Sequence, residues 1–172
     1  MKSTDQINLE NHFNDLYQKL FSQVYRYIYR LIGNNEESKQ LTQQAFTSLF
    51  GYFLSKPIIK NEKALLFRIA TNSCFNYLRK RKSEKASGLE WIEACPPDDP
   101  LQSVIKNQRK ELIHKALAQL RPRDRFCILL YLEGLSYSEI ADAIKVNKAT
   151  VGKALLRAIE RLSCQIGNGD KL

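Results

Sequence analysis

GLSYSEIADAIKVNKATVGKALLRAIERL, residues 134–162, reads as two short helices joined by a tight turn, with both helix starts marked. Gly134 is suited to end the preceding FCILLYLE helix, because glycine tolerates positive φ. Ser136 and Glu139 form a capping box, which predicts a helix from Tyr137. Ile140, Ala141 and Ile144 give that helix an apolar face, and Ala141 is small enough to admit a close neighbour. Asn147 then caps a second helix from Lys148. Val151, Leu155, Ala158 and Leu162 fall at i, i+4, i+7 and i+11 and form its buried stripe. Lys148, Ala149, Thr150, Lys153 and Arg157 remain on the outer side, where a DNA major groove would meet them.

An ordinary two-helix corner would more often mix its surface charges. Here Lys145, Lys148, Lys153, Arg157 and Arg161 face Glu160 alone, the surplus that phosphate contacts require. The whole chain repeats the bias, with a net charge of +9 and a pI near 9.4 over 172 residues. A polyanionic partner follows, nucleic acid before membrane, since no segment approaches the ~20 apolar residues of a spanning helix. MKSTDQINLENHF, at the N-terminus, lacks the apolar core of a signal peptide, so a cytoplasmic location is expected.

Cys74, Cys95, Cys127 and Cys164 are scattered, without CxxC or Cys/His spacing, and are expected to be buried thiols. His12 and His114 are isolated. Phosphate loops, HExxH, nucleophile elbows and paired carboxylates are missing as well. No cofactor, metal site or small-molecule substrate is expected, and the chain does not read as an enzyme.

Between Ser83 and Pro100, Glu84, Glu90, Glu93, Asp98 and Asp99 stand against Lys85, a net of −4, and the same stretch holds Gly88 and the breaker run Pro96-Pro97-Asp98-Asp99-Pro100. This predicts an acidic linker over 83–100 between two small helical domains, 1–82 and 101–172. The fold class is all-α. Helices are expected near 8–32, 36–54, 62–82, 101–120, 124–133, 136–144 and 148–165.

In the first domain, Phe13, Leu16, Tyr17, Leu20, Val24, Ile28 and Leu31 mark the core face of the first helix. The second buries Leu41, Ala45, Leu49 and Phe53 and turns Gln40, Gln43, Gln44 and Thr47 outward as a nearly uncharged polar face. A solvated surface is the default for such a face, and a partner surface is the alternative. The third helix buries Leu66, Phe67, Ala70, Cys74, Tyr77 and Leu78. Its other side carries Arg68, Asn72, Asn76 and Arg79, with Phe75 expected exposed at the edge, and ends in Arg79-Lys80-Arg81-Lys82. Guanidinium groups for phosphates, amides for base edges and a ring for stacking suit unpaired DNA.

Three blocks, LTQQAFTSLF (41–50), ALLFRIATNSCFNYLRKRK (64–82) and the stretch from Ala116 to Leu162, together resemble the extracytoplasmic-function group of bacterial sigma factors. The resemblance covers nearly the whole chain in the family's order. It implies a promoter-specificity subunit of RNA polymerase. Gln40, Gln43, Gln44 and Thr47 would dock on the clamp helices of the largest core subunit. The third helix, through Arg68, Asn72, Phe75, Asn76, Arg79 and Arg81, would hold the melted −10 element with the loop from Ser55 to Asn61. The helix-turn-helix would read the −35 duplex, and an anti-sigma factor would be a further partner.

This chain departs from the family pattern at several positions. Lys39 and Gln40 stand where carboxylates often occur, which leaves a sigma-like regulator or decoy with weak core binding as the alternative. Lys145 replaces the turn glycine, and left-handed geometry at a non-glycine residue costs roughly 1 kcal/mol. Gly152 lies inside the recognition helix at a cost of ~1 kcal/mol relative to alanine.

Overall fold

Apolar residues recurring every three to four positions over nearly thirty residues build α1 (Thr4–Ile32), which ends where Gly33 turns to φ 71° and donates its N–H to Tyr29 O at 2.8 Å. Asn34 caps the next helix, its Oδ1 accepting from Glu37 N at 2.9 Å, so α2 (Asn35–Ser55) starts almost at once. Asn61 does the same for α3 (Glu62–Glu84), accepting from Ala64 N at 3.0 Å. After a helical turn at 115–118 come α4 (Pro122–Leu132), α5 (Tyr137–Ile144) and α6 (Lys148–Gly167). The computed structural model describes residues 4–55, 59–84 and 115–167, and contains no strand among them.

The all-α expectation holds. α3 continues through Ser83 and Glu84, two residues past the helix expected near 62–82. The rest of the acidic linker and most of the helix expected over 101–120 lie outside the described residues, as do Cys95 and His114.

α1, α2 and α3 pack on one another as a bundle, and α4, α5 and α6 form a second unit. In the bundle Tyr27 is fully buried, with its hydroxyl 2.6 Å from Thr71 Oγ1. Thr71 commits its own proton to Phe67 O at 2.7 Å, so Tyr27 is the donor, and burial raises its pKa well above the ordinary value. Cys74 and Cys127 are buried as expected, whereas Cys164 is exposed on α6. Desolvation pushes the Cys127 thiol up to about 11 and Cys74 higher still.

The two units also touch. α5 lies against α3, α4 reaches the end of α1, and the buried apolar residues of both units form one continuous cluster. Phe75 of α3 stacks on Phe126 of α4 with centroids 4.1 Å apart and planes 21° from parallel. Asn61 Nδ2 donates to Glu139 Oε1, and Arg30 lies 3.9 Å from Glu133.

Candidate nucleic-acid interface

The helix-turn-helix is fixed at each joint by the residues expected to fix it. Gly134 takes φ 85°, and Leu135 N reaches back to Leu130 O at 3.2 Å. Ser136 N donates to Glu139 Oε2 at 2.8 Å, and Glu139 N donates to Ser136 Oγ at 3.3 Å, completing the capping box. These bonds, the backbone one foremost, hold the Glu139 carboxyl below its ordinary pKa. Lys145 carries the left-handed turn at φ 56°, ψ 53°. Asn147 Oδ1 then accepts from Thr150 N at 2.8 Å and from Thr150 Oγ1 at 2.6 Å.

Val151, Ala154, Leu155 and Ala158 seat α6 on its neighbours. Lys148, Ala149 and Lys153 are exposed and Thr150 is half-exposed, its hydroxyl proton already given to the cap. Arg157 is half-exposed and has a partner that helical spacing did not predict. Its Nη2 and Nε reach Asp124 at 2.8 and 3.3 Å, and Asp124 is only 1% exposed. A buried carboxylate needs a bonded partner, so much of the guanidinium is committed inward before any phosphate arrives.

On α3, Arg68, Asn76 and Arg79 are exposed and Asn72 is half-exposed. Arg79 Nη2 lies 3.4 Å from Asn76 Oδ1, which lines the amide up with the cation. Arg81 is held back over Tyr77, 3.1 Å from its hydroxyl and 5.9 Å from the ring centroid. The expected exposure of Phe75 is a correction. Phe75 is not an exposed stacking ring here but is packed against Phe126, because the C-terminal unit covers that edge of α3.

The polar face of α2 is outward as expected. Gln40, Gln43, Gln44, Thr47 and Ser48 line an open depression with Ser73 of α3, a residue the helical pattern did not single out. Lys39 sits 3.4 Å from Glu36, so its charge is partly answered within its own turn.

The sigma-70 region 2 profile matches residues 16–84, and the sigma-70 region 4 profile matches 110–162. The chain is 26% identical over 168 residues to the ECF RNA polymerase sigma factor SigW of Bacillus subtilis, covering 91% of this chain and 90% of that protein. With SigE of Mycolicibacterium smegmatis, another ECF sigma factor, it shares 30% identity over 154 residues, covering 87% of this chain and 60% of that one. The chain belongs to the sigma-70 family, in its extracytoplasmic-function group.

The fold of this sigma factor is similar to that of the sigma factor RpoE from Bartonella quintana, solved with the anti-sigma factor NepR. The TM-score is 0.76 at 21% identity, covering 91% of this chain and 97% of that one. It is also similar to CnrH, solved with the cytosolic domain of CnrY, with a TM-score of 0.66 at 17% identity over 92% and 90% of the two chains. One feature of the sigma factor's DNA-reading unit escaped the sequence reading. Tyr131 and Tyr137 meet edge to face at 6.0 Å, and Leu132, Leu156 and Ile159 are also exposed on this unit. Gly152 borders Tyr137, and a Cβ there would meet only the ring at 3.8 Å, an ordinary contact. Space does not require the glycine.

Proposed function

We propose that this sigma factor works through three separate faces: α2 for core polymerase, α3 for the melted −10 element and α6 for the −35 duplex. The α1–α3 unit, residues 1–84, carries the first two, and the unit from residue 101 onward carries the third, the acidic stretch joining them. The observation supporting this most directly is the fully capped helix-turn-helix with Lys148 and Lys153 on its outer face. Those ammonium groups displace counterions from duplex phosphates. Arg68, Asn72, Asn76 and Arg79 offer the mixed cation and amide chemistry that single strands need. Gln40, Gln43, Gln44 and Thr47 supply a polar surface that is inexpensive to desolvate compared with charges.

The sigma factor acts by positioning, and phosphodiester chemistry belongs to the polymerase. Promoter binding puts its work in the cytoplasm, and no helix among the described residues is long and apolar enough to cross a membrane. RpoE was solved with an anti-sigma factor and CnrH with the cytosolic domain of CnrY, and we infer an anti-sigma partner here as well.

Run-off transcription with core polymerase, on DNA from upstream of the protein's own gene, tests the reading. A discrete start that requires this protein is expected. Changing Gln43 and Thr47 together to glutamate should weaken co-purification of core while leaving helicity intact. Duplex binding without core association would instead favour the regulator or decoy.

A further inference from the structure

We propose that Asp124, on α4, is a positioning residue for promoter specificity. It holds the guanidinium of Arg157, on α6, in one plane, with the outer N–H edge presented to a base edge of the −35 duplex. The inference rests on the assignment of α6 to that duplex. Arg157 spends its side-on edge on Asp124, Nη2 donating to Oδ1 at 2.8 Å and Nε to Oδ2 at 3.3 Å. Two parallel bonds to one carboxylate fix the plane of the group as well as its place. The carboxylate has little room to follow a moving partner, since Asp124 is 1% exposed in the first turn of a helix packed on α6. Arg121, Arg123 and Arg125 are its neighbours in sequence, yet it is paired with the reading helix, 33 positions away.

A structural tie between α4 and α6 is the simpler account of the pair, and two features go beyond it. As a tie alone, a buried ion pair is often no better than an apolar contact of the same size. This pair is also buried at one end only, the Arg157 side chain being 41% exposed against 1% for Asp124. In the fork of an arginine held side-on, Nη1 and the second Nη2 proton point away from the carboxylate. Arg157 shares its face of α6 with Lys153, one turn earlier. A phosphate can be met from many directions by a flexible point charge such as Lys153. A base edge is planar and is met from one. Guanine presents N7 and O6 side by side, which matches the two outer N–H groups of a guanidinium whose plane is already set. Setting that plane in the free protein removes an ordering cost that a loose arginine would meet on binding. Lys148 and Lys153 then supply affinity that ignores sequence, and Arg157 with Asp124 supplies preference for a G·C pair.

The test uses the full chain with core polymerase, on duplex templates from upstream of its own gene in which each −35 base pair is changed in turn. Run-off and competition binding are measured for the parent, Asp124→Asn and Arg157→Lys, well below the melting transition of each. Asparagine keeps the shape of Asp124 but turns one acceptor into a donor, and lysine keeps the charge of Arg157 without the fork. In the parent, replacing one G·C pair should weaken binding about tenfold. Both variants should lose most of that penalty at the same pair, keep their preferences at the other pairs and keep the parent's salt dependence. Lower thermal stability of Asp124→Asn with the penalty intact overturns the proposal and leaves the pair a structural tie. An even loss across all −35 sequences, with a shallower salt dependence, overturns it as well, because Arg157 is then a phosphate contact. Both of those outcomes leave α6 on the −35 element. A parent indifferent to every −35 base pair, with −10 preference retained, overturns that assignment and the proposal with it.

Discussion

The N-terminal bundle packs through a cluster of aromatic rings along long helices, and the C-terminal unit through aliphatic side chains, small residues and capped, mostly shorter helices. Phe13, Tyr17, Phe21 and Phe46 meet with ring centroids 4.7–6.4 Å apart between long helices. In the other unit Ala141, Ala143, Ala154 and Ala158 are buried, and α5 has eight residues. Isolated helices below ~12–15 residues are marginal in water, so a short helix depends on its ends and its neighbours. Long helices spread their stability over many side chains, and a short one leans more heavily on its caps and on the core it is packed against.

The largest expected effect breaks the bulky side of that contrast. Phe46→Ala should destabilise the bundle by ~3–5 kcal/mol in urea denaturation, because Phe46 is 2% exposed and central to the ring cluster. Loss of the C-terminal unit at lower denaturant than the bundle would invert the comparison. Asp124→Ala comes next. Removing the buried acceptor should cost the C-terminal unit about 1–3 kcal/mol and release Arg157 toward solvent. Duplex binding measured well below the melting transition should then keep its salt slope, whereas Lys153→Ala lowers that slope by about one.

Asn147→Ala should cost ~1 kcal/mol by removing the α6 cap, read as a lower melting temperature of the C-terminal unit. Gly152→Ala should stabilise that unit by about 0.5–1 kcal/mol, since the site is helical and open apart from Tyr137. The smallest effect is acidic. Glu139 has a lowered pKa when folded, so its contribution is present above the ordinary glutamate range and lost as pH falls through the lowered value. Its group is largely solvated, and Glu139→Gln should only slightly flatten the acid side of the melting curve.

The caps of α5 and α6 were legible because each is written within four residues: Ser136 with Glu139, and Asn147 with Thr150. The helices and their inward faces were legible through apolar spacing. Arg157 was not, because its partner is 33 positions away and helical periodicity places a side chain only relative to its own axis. Phe75 failed for the same reason. Its position on the α3 wheel indicates an edge, and only the second unit decides what covers that edge. Ser73 joined the α2 depression through helix packing, which a one-helix pattern cannot contain.

Cys74 lies in the bundle and Cys127 in the helix-turn-helix unit, both at 0% exposure. A thiol reagent meets either one only when its surroundings open, so each sulfur acts as a clock for its own unit. Two labelling rates from one sample would therefore reveal whether the units open together or in sequence, without adding a probe to either.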